Sequence, residues 1–397
     1  MSMDNESAER WIPGLIAIAR PETDGSGAVQ STPEAIAILT DAGFEPSIPD
    51  PGVLAERFQT GGDAAERVLG VVEIVAVEAP LRAARVLAGH GIAASPIHWL
   101  AYQWHIFSSR IPPRDDPDVE VPGVEDASEE GTVIAVVDSG IVKDAFLPSW
   151  ISSSIIREQQ DVETLGNDDP ASHGTFVVGL IRSSAPQYRV SIAKAGGLRQ
   201  PERDDEGSRH RHVPDPTTEW HVTDALLRLI ERHGEEGSIA ALNLSLGVAA
   251  ADPAADNALV MLRAALDRFR TAFPKCVIFA SAGNSNGTPP NYPAAFQDVR
   301  GVAAAADGGG QVVWTEDPAP KVTPADPRGW VSDVAPGCDL GGISGIQDGP
   351  TIRWSGSSFA SALAAAKWAV SGSVQVVAGT SYWPNSAMSY ADYPELI

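Results

Sequence analysis

Two polar residues of this 397-residue chain have types and positions that suit general-base chemistry. Asp138 ends the apolar run TVIAVVD, and functional residues gather at the carboxyl ends of strands in open parallel sheets. His173 lies in SHGTFVVGLI, where a helix is expected to begin. An aspartate beside a histidine can orient the imidazole and stabilise its cation. The structural alternatives are an aspartate that caps a turn and a histidine that makes a local hydrogen bond.

Two further residues suit a nucleophile and a donor to a developing oxyanion. Ser358 lies in WSGSSFASALAAAKWAV, whose small residues predict a helix that begins near this serine. The free N–H groups and dipole of a helix N-terminus favour negative charge. Ser357 is a competing nucleophile, and a serine that only caps the helix is the structural alternative. Asn284, in VIFASAGNSNG, can donate to an oxyanion or can instead serve a left-handed turn.

The elements that would position these residues follow a regular pattern from Gly131 to Gly372. Apolar runs of strand length alternate with segments of helix length, which indicates an α/β fold with a parallel β-sheet and helices on both faces. The predicted strands are Val133–Val137, Val190–Ala193, Ala240–Leu244, Val277–Ala280 and Val299–Ala303, and the predicted helices are Gly174–Arg182, Thr223–Arg232, Asp256–Phe269 and Ser358–Val370.

The remaining chain divides into three predicted segments. Residues 1–108 form a small α+β N-terminal domain, residues 109–130 an acidic, proline-rich linker, and residues 373–397 a C-terminal tail that follows the 131–372 domain. Residues 199–219 form a charged insertion that is expected to be a surface loop. The predicted N-terminal elements are the strands Leu15–Ala19, Val68–Val77 and His98–Phe107 and the helices from Thr32 towards Gly43 and Pro80–Gly89.

Composition excludes several classes of partner. The formal net charge of −24 disfavours nucleic acid and anionic membrane surfaces. No apolar run has the length of a membrane span, and the acidic N-terminus lacks the features of a secretion signal, so we expect a cytoplasmic protein. The only cysteines, Cys276 and Cys338, are expected to be free thiols, and no Cys/His spacing predicts a metal site.

The order Asp, His, Ser, together with the sequences around these residues, resembles the subtilisin-like (subtilase) family of serine peptidases. The similarity extends from about Gly131 to Gly372. Its motifs are specific, and seven of them occur in the family's order. They are VIAVVDSGI, SHGTFVVGLI, LNLSLG, FASAGNSNG, NYPAAFQDVRGVAAA, SDVAPG and SGSSFASA.

The resemblance implies a serine endopeptidase with a catalytic triad. Asp138 would orient His173, His173 would activate Ser358, and Asn284 would bind the oxyanion with the backbone N–H of Ser358. The substrate, a peptide or protein, would bind along one cleft. The chemistry needs no cofactor, and a structural calcium ion is compatible with the sequence. The implied substrate-binding residues are Ser245, Leu246, Gly247, Ala282 and Gly283.

The chain departs from the family pattern at several positions, and two questions stay open. Ser357, Phe359 and Ala362 replace the usual Thr, Met and Pro around the nucleophile, and Phe176 replaces a histidine that is not a triad member. Residues 1–108 are either an inhibitory prodomain or a docking domain for a regulatory protein partner. The alternative functions are a catalytically inactive subtilase that binds peptides or a partner, and an esterase or transacylase with the same triad.

Overall fold

A computed structural model describes most of the chain and assigns it two compact units. The smaller unit comprises Met1–Leu100, Pro216–Arg232 and Ala250–Pro274, and the larger unit comprises Ala101–Asp215, His233–Ala249 and Lys275–Ile397. The structure describes residues 11–20, 32–102, 114–115, 132–142, 147–157, 170–196, 217–234, 238–249, 259–284, 290–305, 311–313, 321–323, 330–343 and 351–374.

Within these ranges, helices and strands alternate along most of the chain. The helices are α1 (Thr32–Asp41), α2 (Pro51–Arg57), α3 (Gly62–Leu69), α4 (Pro80–Gly89), α5 (Ser149–Ser152), α6 (Pro170–Ser184), α7 (Glu219–His233), α8 (Val260–Ala272) and α9 (Ser357–Ser371). The strands are β1 (Trp11–Ala19), β2 (Val72–Ala76), β3 (Ala94–Tyr102), β4 (Arg114–Asp115), β5 (Val133–Asp138), β6 (Ile155–Arg157), β7 (Arg189–Lys194), β8 (Thr217–Thr218), β9 (Ile239–Leu244), β10 (Leu246–Ala249), β11 (Val277–Ser281), β12 (Asn291–Tyr292), β13 (Arg300–Ala305), β14 (Gln311–Val313), β15 (Lys321–Thr323), β16 (Val331–Pro336), β17 (Leu340–Ile343) and β18 (Thr351–Trp354).

The larger unit is built on a parallel sheet, which confirms the predicted α/β fold. Its parallel strands lie in the order β6-β7-β5-β9-β11-β13-β16, and β14 and β15 extend it with antiparallel pairing. Every residue of β5 is buried, so this central strand is covered on both faces, which explains its continuous apolar sequence.

Helices α6 and α9 pack on one face of this sheet and share one hydrophobic core with it. The core includes Ile134 of β5, Phe279 of β11, Val177 of α6 and Ala364 of α9, all of them fully buried. The alanine-rich sequence of α9 allows close approach to the strands because its side chains are small. This packing fixes the N-termini of both helices relative to the carboxyl ends of the strands.

The smaller unit contains more than the N-terminal domain predicted from the sequence. Strand β1 lies between β2 and β3 with antiparallel pairing, and β8 pairs with the residues of β3 before Ala101. Helices α7 and α8 contribute Trp220, Leu227 and Met261 to the same hydrophobic core as these strands. The ring of Trp220 stacks on Phe58, with centroids 4.4 Å apart. A core of this kind needs all three chain segments.

Two N-terminal predictions need correction or limitation. The predicted strand Val68–Val77 is wrong at its start, because Val68 belongs to α3 and the strand begins at Val72. Helix α3 buries Ala64, Ala65 and Val68 on one side and ends at Leu69, so the valine-rich run is divided between two elements. Most of the predicted linker, of the 199–219 insertion and of the C-terminal tail lies outside the described residues.

Two described segments within these predicted loops are regular structure. In the linker, Arg114 and Asp115 form β4, which pairs with β18. In the insertion, Thr217 and Thr218 form β8, and Glu219 is the fully buried first residue of α7. The domain boundaries themselves stay predictions.

Candidate active site

Asp138 and His173 form a buried hydrogen-bonded pair. Asp138 is the last residue of β5, and His173 is the fourth residue of α6. The Nδ1 atom of His173 lies 2.8 Å from Oδ1 of Asp138, and neither side chain is more than 1% exposed. The backbone N–H and hydroxyl of Ser139 donate to the same Oδ1, at 2.7 and 3.0 Å. The aspartate therefore accepts the Nδ1 proton and leaves Nε2 as the basic nitrogen.

A glycine allows the helix that carries His173 to approach this strand end. If Gly174 had a Cβ atom, it would lie 2.0 Å from the carbonyl oxygen of Gly140. No side chain fits in that space, so the close packing of α6 on the loop after β5 requires glycine. The adjacent residues His173 and Gly174 therefore have different roles: the histidine is suited to chemistry, and the glycine is required by the packing of the helix.

Aromatic rings surround the imidazole of His173. Trp354 packs edge to face against it with centroids 5.7 Å apart, and Phe359 lies tilted at 5.4 Å. Phe176, which stands where the family usually has histidine, is fully buried and contacts the rings of both Trp354 and Phe359. Trp354 was not among the residues predicted to belong to the site, although it lies only four residues before Ser358 in the sequence.

The two adjacent serines of the nucleophile motif have different surroundings. Ser357 is the first residue of α9, and its hydroxyl donates to Oδ1 of Asn284 at 2.8 Å. The hydroxyl of Ser358 makes one long hydrogen bond, to the backbone carbonyl of Ser245 at 3.3 Å. The side chain of Ser245 in turn donates to the carbonyl of Ser358 at 2.7 Å. The hydroxyl of Ser357 is thus held by a short hydrogen bond in the protein interior, and the hydroxyl of Ser358 is less constrained.

Asn284 lies directly beside the N-terminus of α9. Its Oδ1 atom accepts from the backbone N–H of Ser357 at 2.8 Å as well as from the Ser357 hydroxyl. The positive backbone φ of this loop falls on Gly283, at +93°, so a left-handed turn does not account for the asparagine. A Cβ atom built on Gly356 would lie 3.5 Å from Nδ2, which places the amide nitrogen next to the residues that lead into Ser358.

The predicted substrate-binding residues lie on neighbouring strand ends of the larger unit. Leu246 and Gly247 pair with Tyr102 and Ala101 in antiparallel register. Ala282, which is almost fully buried, directly follows β11, and its carbonyl accepts from Nε1 of Trp330 at 3.3 Å. Strands β9 and β11 are adjacent and parallel, so Ser245 and Gly283 both follow the same edge of the sheet.

Metal-binding clusters and membrane-spanning helices are both absent from the described residues. In the part of the chain that the structure describes, no group of three or more His, Cys, Asp or Glu side chains could hold a metal ion. Among the helices within the described ranges, none is long and apolar enough to cross a membrane.

The chain is thus an α/β protein that carries an aspartate–histidine pair and a helix-terminal serine at the edge of a parallel sheet. A sequence profile described as the subtilase family matches residues 129–387, well over half of the chain. The chain therefore belongs to the subtilase family, a family of serine peptidases.

Comparison with solved structures agrees with this fold. Fervidolysin from Fervidobacterium pennivorans, described as a keratinolytic enzyme related to subtilisin, is 16% identical with a TM-score of 0.51. The alignment covers 91% of this chain and 55% of fervidolysin. The prenylagaramide maturation protease PagA is 23% identical with a TM-score of 0.42, over 60% of this chain and 74% of its own. No curated protein matches the chain.

Neither cysteine forms a disulfide bond. Cys276 directly precedes β11, and desolvation raises the pKa of its thiol to about 12, against an opposing contribution from the backbone of Leu242. At pH 8 only about one molecule in ten thousand would then carry the reactive thiolate. Because folding favours the protonated thiol, Cys276 should also reduce the stability of the fold as pH rises from about 9 to about 12.

We expect iodoacetamide at pH 8 to leave Cys276 unmodified in the native chain and to modify it in denaturant. Peptide mapping after alkylation measures both states, with the denatured sample as the control for access to the reagent. Rapid modification of Cys276 in the native chain would contradict the assignment of a partly buried, protonated thiol.

Proposed function

We propose that the chain is a serine endopeptidase that hydrolyses peptide bonds through Asp138, His173 and Ser358. The observation that carries the proposal is the buried hydrogen bond of 2.8 Å between Asp138 and His173. A buried carboxylate that accepts the Nδ1 proton prepares the other imidazole nitrogen for general-base catalysis. Membership of the subtilase family supports the same reaction class.

The proposed reaction proceeds in two acyl-transfer steps. Nε2 of His173 takes the proton of the Ser358 hydroxyl while Oγ attacks the peptide carbonyl, and the C–N bond then breaks as His173 protonates the leaving amine. Water, activated by the same imidazole, hydrolyses the acyl-enzyme and regenerates the serine. Asp138 stays ionised and stabilises the imidazolium in both steps. The aromatic rings of Trp354 and Phe359 limit the rotation of the imidazole.

Asn284 and the N-terminus of α9 are suited to stabilise the oxyanion of the tetrahedral intermediate. The backbone N–H of Ser358 lies in the first turn of α9, where no carbonyl of the same helix accepts from it. The Nδ2 group of Asn284 lies close to Gly356, two residues before Ser358. Donors that are held in place before reaction stabilise the developing charge without reorganisation.

A digest of a peptide library tests the endopeptidase proposal against both alternatives. We expect internal cleavage of peptides by the wild-type chain and none by a Ser358→Ala variant. An inactive peptide-binding subtilase would cleave neither peptides nor small esters. An esterase or transacylase would process ester substrates with Ser358 but leave the peptide library intact.

The N-terminal part is proposed to act as an inhibitory prodomain. The support is the end of β3, where Ala101 and Tyr102 pair with Gly247 and Leu246 of the strand that we propose binds substrate. Adding a strand to an exposed edge is a common way of binding an extended peptide.

We expect an isolated 1–108 fragment to inhibit peptide hydrolysis by the 131–397 fragment. Because α7 and α8 share a core with the N-terminal strands, the two fragments should also form a stable complex on mixing. A matched fragment that ends at Leu100, and so lacks Ala101 and Tyr102, should bind but inhibit less. Formation of the complex without inhibition, at a large molar excess of 1–108, would favour the docking domain.

A further inference from the structure

Asn284 is hydrogen-bonded by the buried Ser357, which in turn contacts a second buried serine, Ser281, that has no part in the proposed mechanism. Ser281 is the last residue of β11, and its Oγ atom lies 2.5 Å from Oγ of Ser357. Ser357 gives Asn284 two hydrogen bonds, both to Oδ1 and both 2.8 Å long. The two serines are fully buried, and Asn284 is 9% exposed.

The hydrogen bonds of the serine pair have a fixed direction. The backbone N–H of Ser357 can only donate, so the atom of Asn284 that faces it must be the carbonyl oxygen. The Ser357 hydroxyl has one proton, and it is used in the bond to Asn284. Ser281 must therefore donate its own proton to Oγ of Ser357. A flipped Asn284 amide would direct its N–H₂ group at the backbone N–H of Ser357, which cannot accept a hydrogen bond.

Ser281 is a rigid anchor because the sheet fixes its backbone. It pairs with Val302 of β13, and its carbonyl accepts from Nδ2 of Asn291 at 2.8 Å. Phe279, two residues earlier, points to the same face of β11 and packs in the core that contains α9. The side chain of Ser281 is thereby directed at the N-terminus of α9.

We propose that Ser281 is a positioning residue that acts through Ser357 to keep Nδ2 of Asn284 directed at the oxyanion. The inference rests on the proposed hydrolase function and concerns the same site. A donor to Oγ of Ser357 fixes the rotamer of that serine and strengthens its own hydrogen bond to Asn284. Without the Ser281 hydroxyl, Ser357 can rotate, and the amide loses part of its restraint.

The expected effect of Ser281→Ala is a three- to tenfold lower kcat with an unchanged KM, about the effect of one hydrogen bond. Orientation of Asn284 matters in the transition state, so the affinity of a peptide boronic acid should fall by the same factor. Titration with a fluorophosphonate gives the concentration of active sites and removes any contribution of misfolded protein from kcat. Ser281→Cys controls for volume, because its thiol fills the space but is a weak donor, and it should behave like Ser281→Ala.

A double-mutant cycle separates positioning from a merely structural role. If Ser281 acts through Asn284, Ser281→Ala should lower kcat no further in an Asn284→Ala background. Equal multiplicative losses in both backgrounds, a rise in KM alone, or wild-type kcat in both Ser281 variants would overturn the proposal. If the wild-type chain cleaves no peptide and binds no phosphonate, the proposed function itself is wrong, and the proposed role of Ser281 is wrong with it.

Discussion

Replacing Ser358 by alanine is expected to abolish peptide hydrolysis. The variant loses the oxygen that forms the acyl-enzyme, and only the oxyanion donors and substrate binding remain. In comparable triads this residual catalysis is about 10³–10⁴-fold over water, far below the activity of an intact site. Hydrolysis of an internally quenched peptide, measured with substrate in excess, gives the rate of both proteins.

The matched control for Ser358→Ala is Ser357→Ala. It removes an adjacent hydroxyl of the same motif, but Ser357 donates to Asn284 and is not the proposed nucleophile. We expect Ser357→Ala to remain active at a lower kcat, because the asparagine loses one of its two donors. Full activity of Ser358→Ala, or complete loss in Ser357→Ala alone, would exchange the roles of the two serines.

Asp138→Asn is expected to lower kcat by about 10⁴-fold with little effect on stability. An asparagine has nearly the same shape but is neutral, so it leaves no charge to stabilise the imidazolium that forms during the reaction. The hydrogen bonds from Ser139 to the carboxyl position can still form with the side-chain oxygen. The variant should therefore fold.

A kinetic and a thermal measurement together test the role of Asp138. The kcat of Asp138→Asn is compared with that of the wild type at pH 8, and thermal unfolding of both proteins shows whether the fold is retained. A loss smaller than tenfold with the fold intact would mean that the aspartate does not prepare His173 as a base.

The sequence predicted the elements that have a simple local signal. Strands β5, β9 and β11 were found because strands that are covered on both faces are continuous apolar runs. Asp138 and His173 were singled out because one ends such a run and the other lies where a glycine-containing helix was expected to begin. The subtilase motifs supplied the pairing of these residues, which spacing along the chain cannot give.

Contacts between distant segments could not be predicted. The core shared by α7, α8 and the N-terminal strands joins residues more than 150 positions apart, such as Phe58 and Trp220. Ser281 directly follows the predicted strand Val277–Ala280, and its role depends on the N-terminus of α9, which lies 76 residues further along. The predicted strand began too early, at Val68, because valine favours strands. In the structure this valine is buried on one side of α3, and its burial there outweighs the preference.

The most direct test of a nucleophilic Ser358 is mass spectrometry of the wild-type chain after reaction with a fluorophosphonate. We expect one adduct per molecule on the peptide that contains SGSSFASA, with fragment ions that place it on Ser358 and not on Ser357. His173→Ala should prevent the reaction, because the serine would lose its base. An adduct on another residue, or an unmodified chain under conditions in which a known serine hydrolase is fully labelled, would show that Ser358 is not an activated nucleophile.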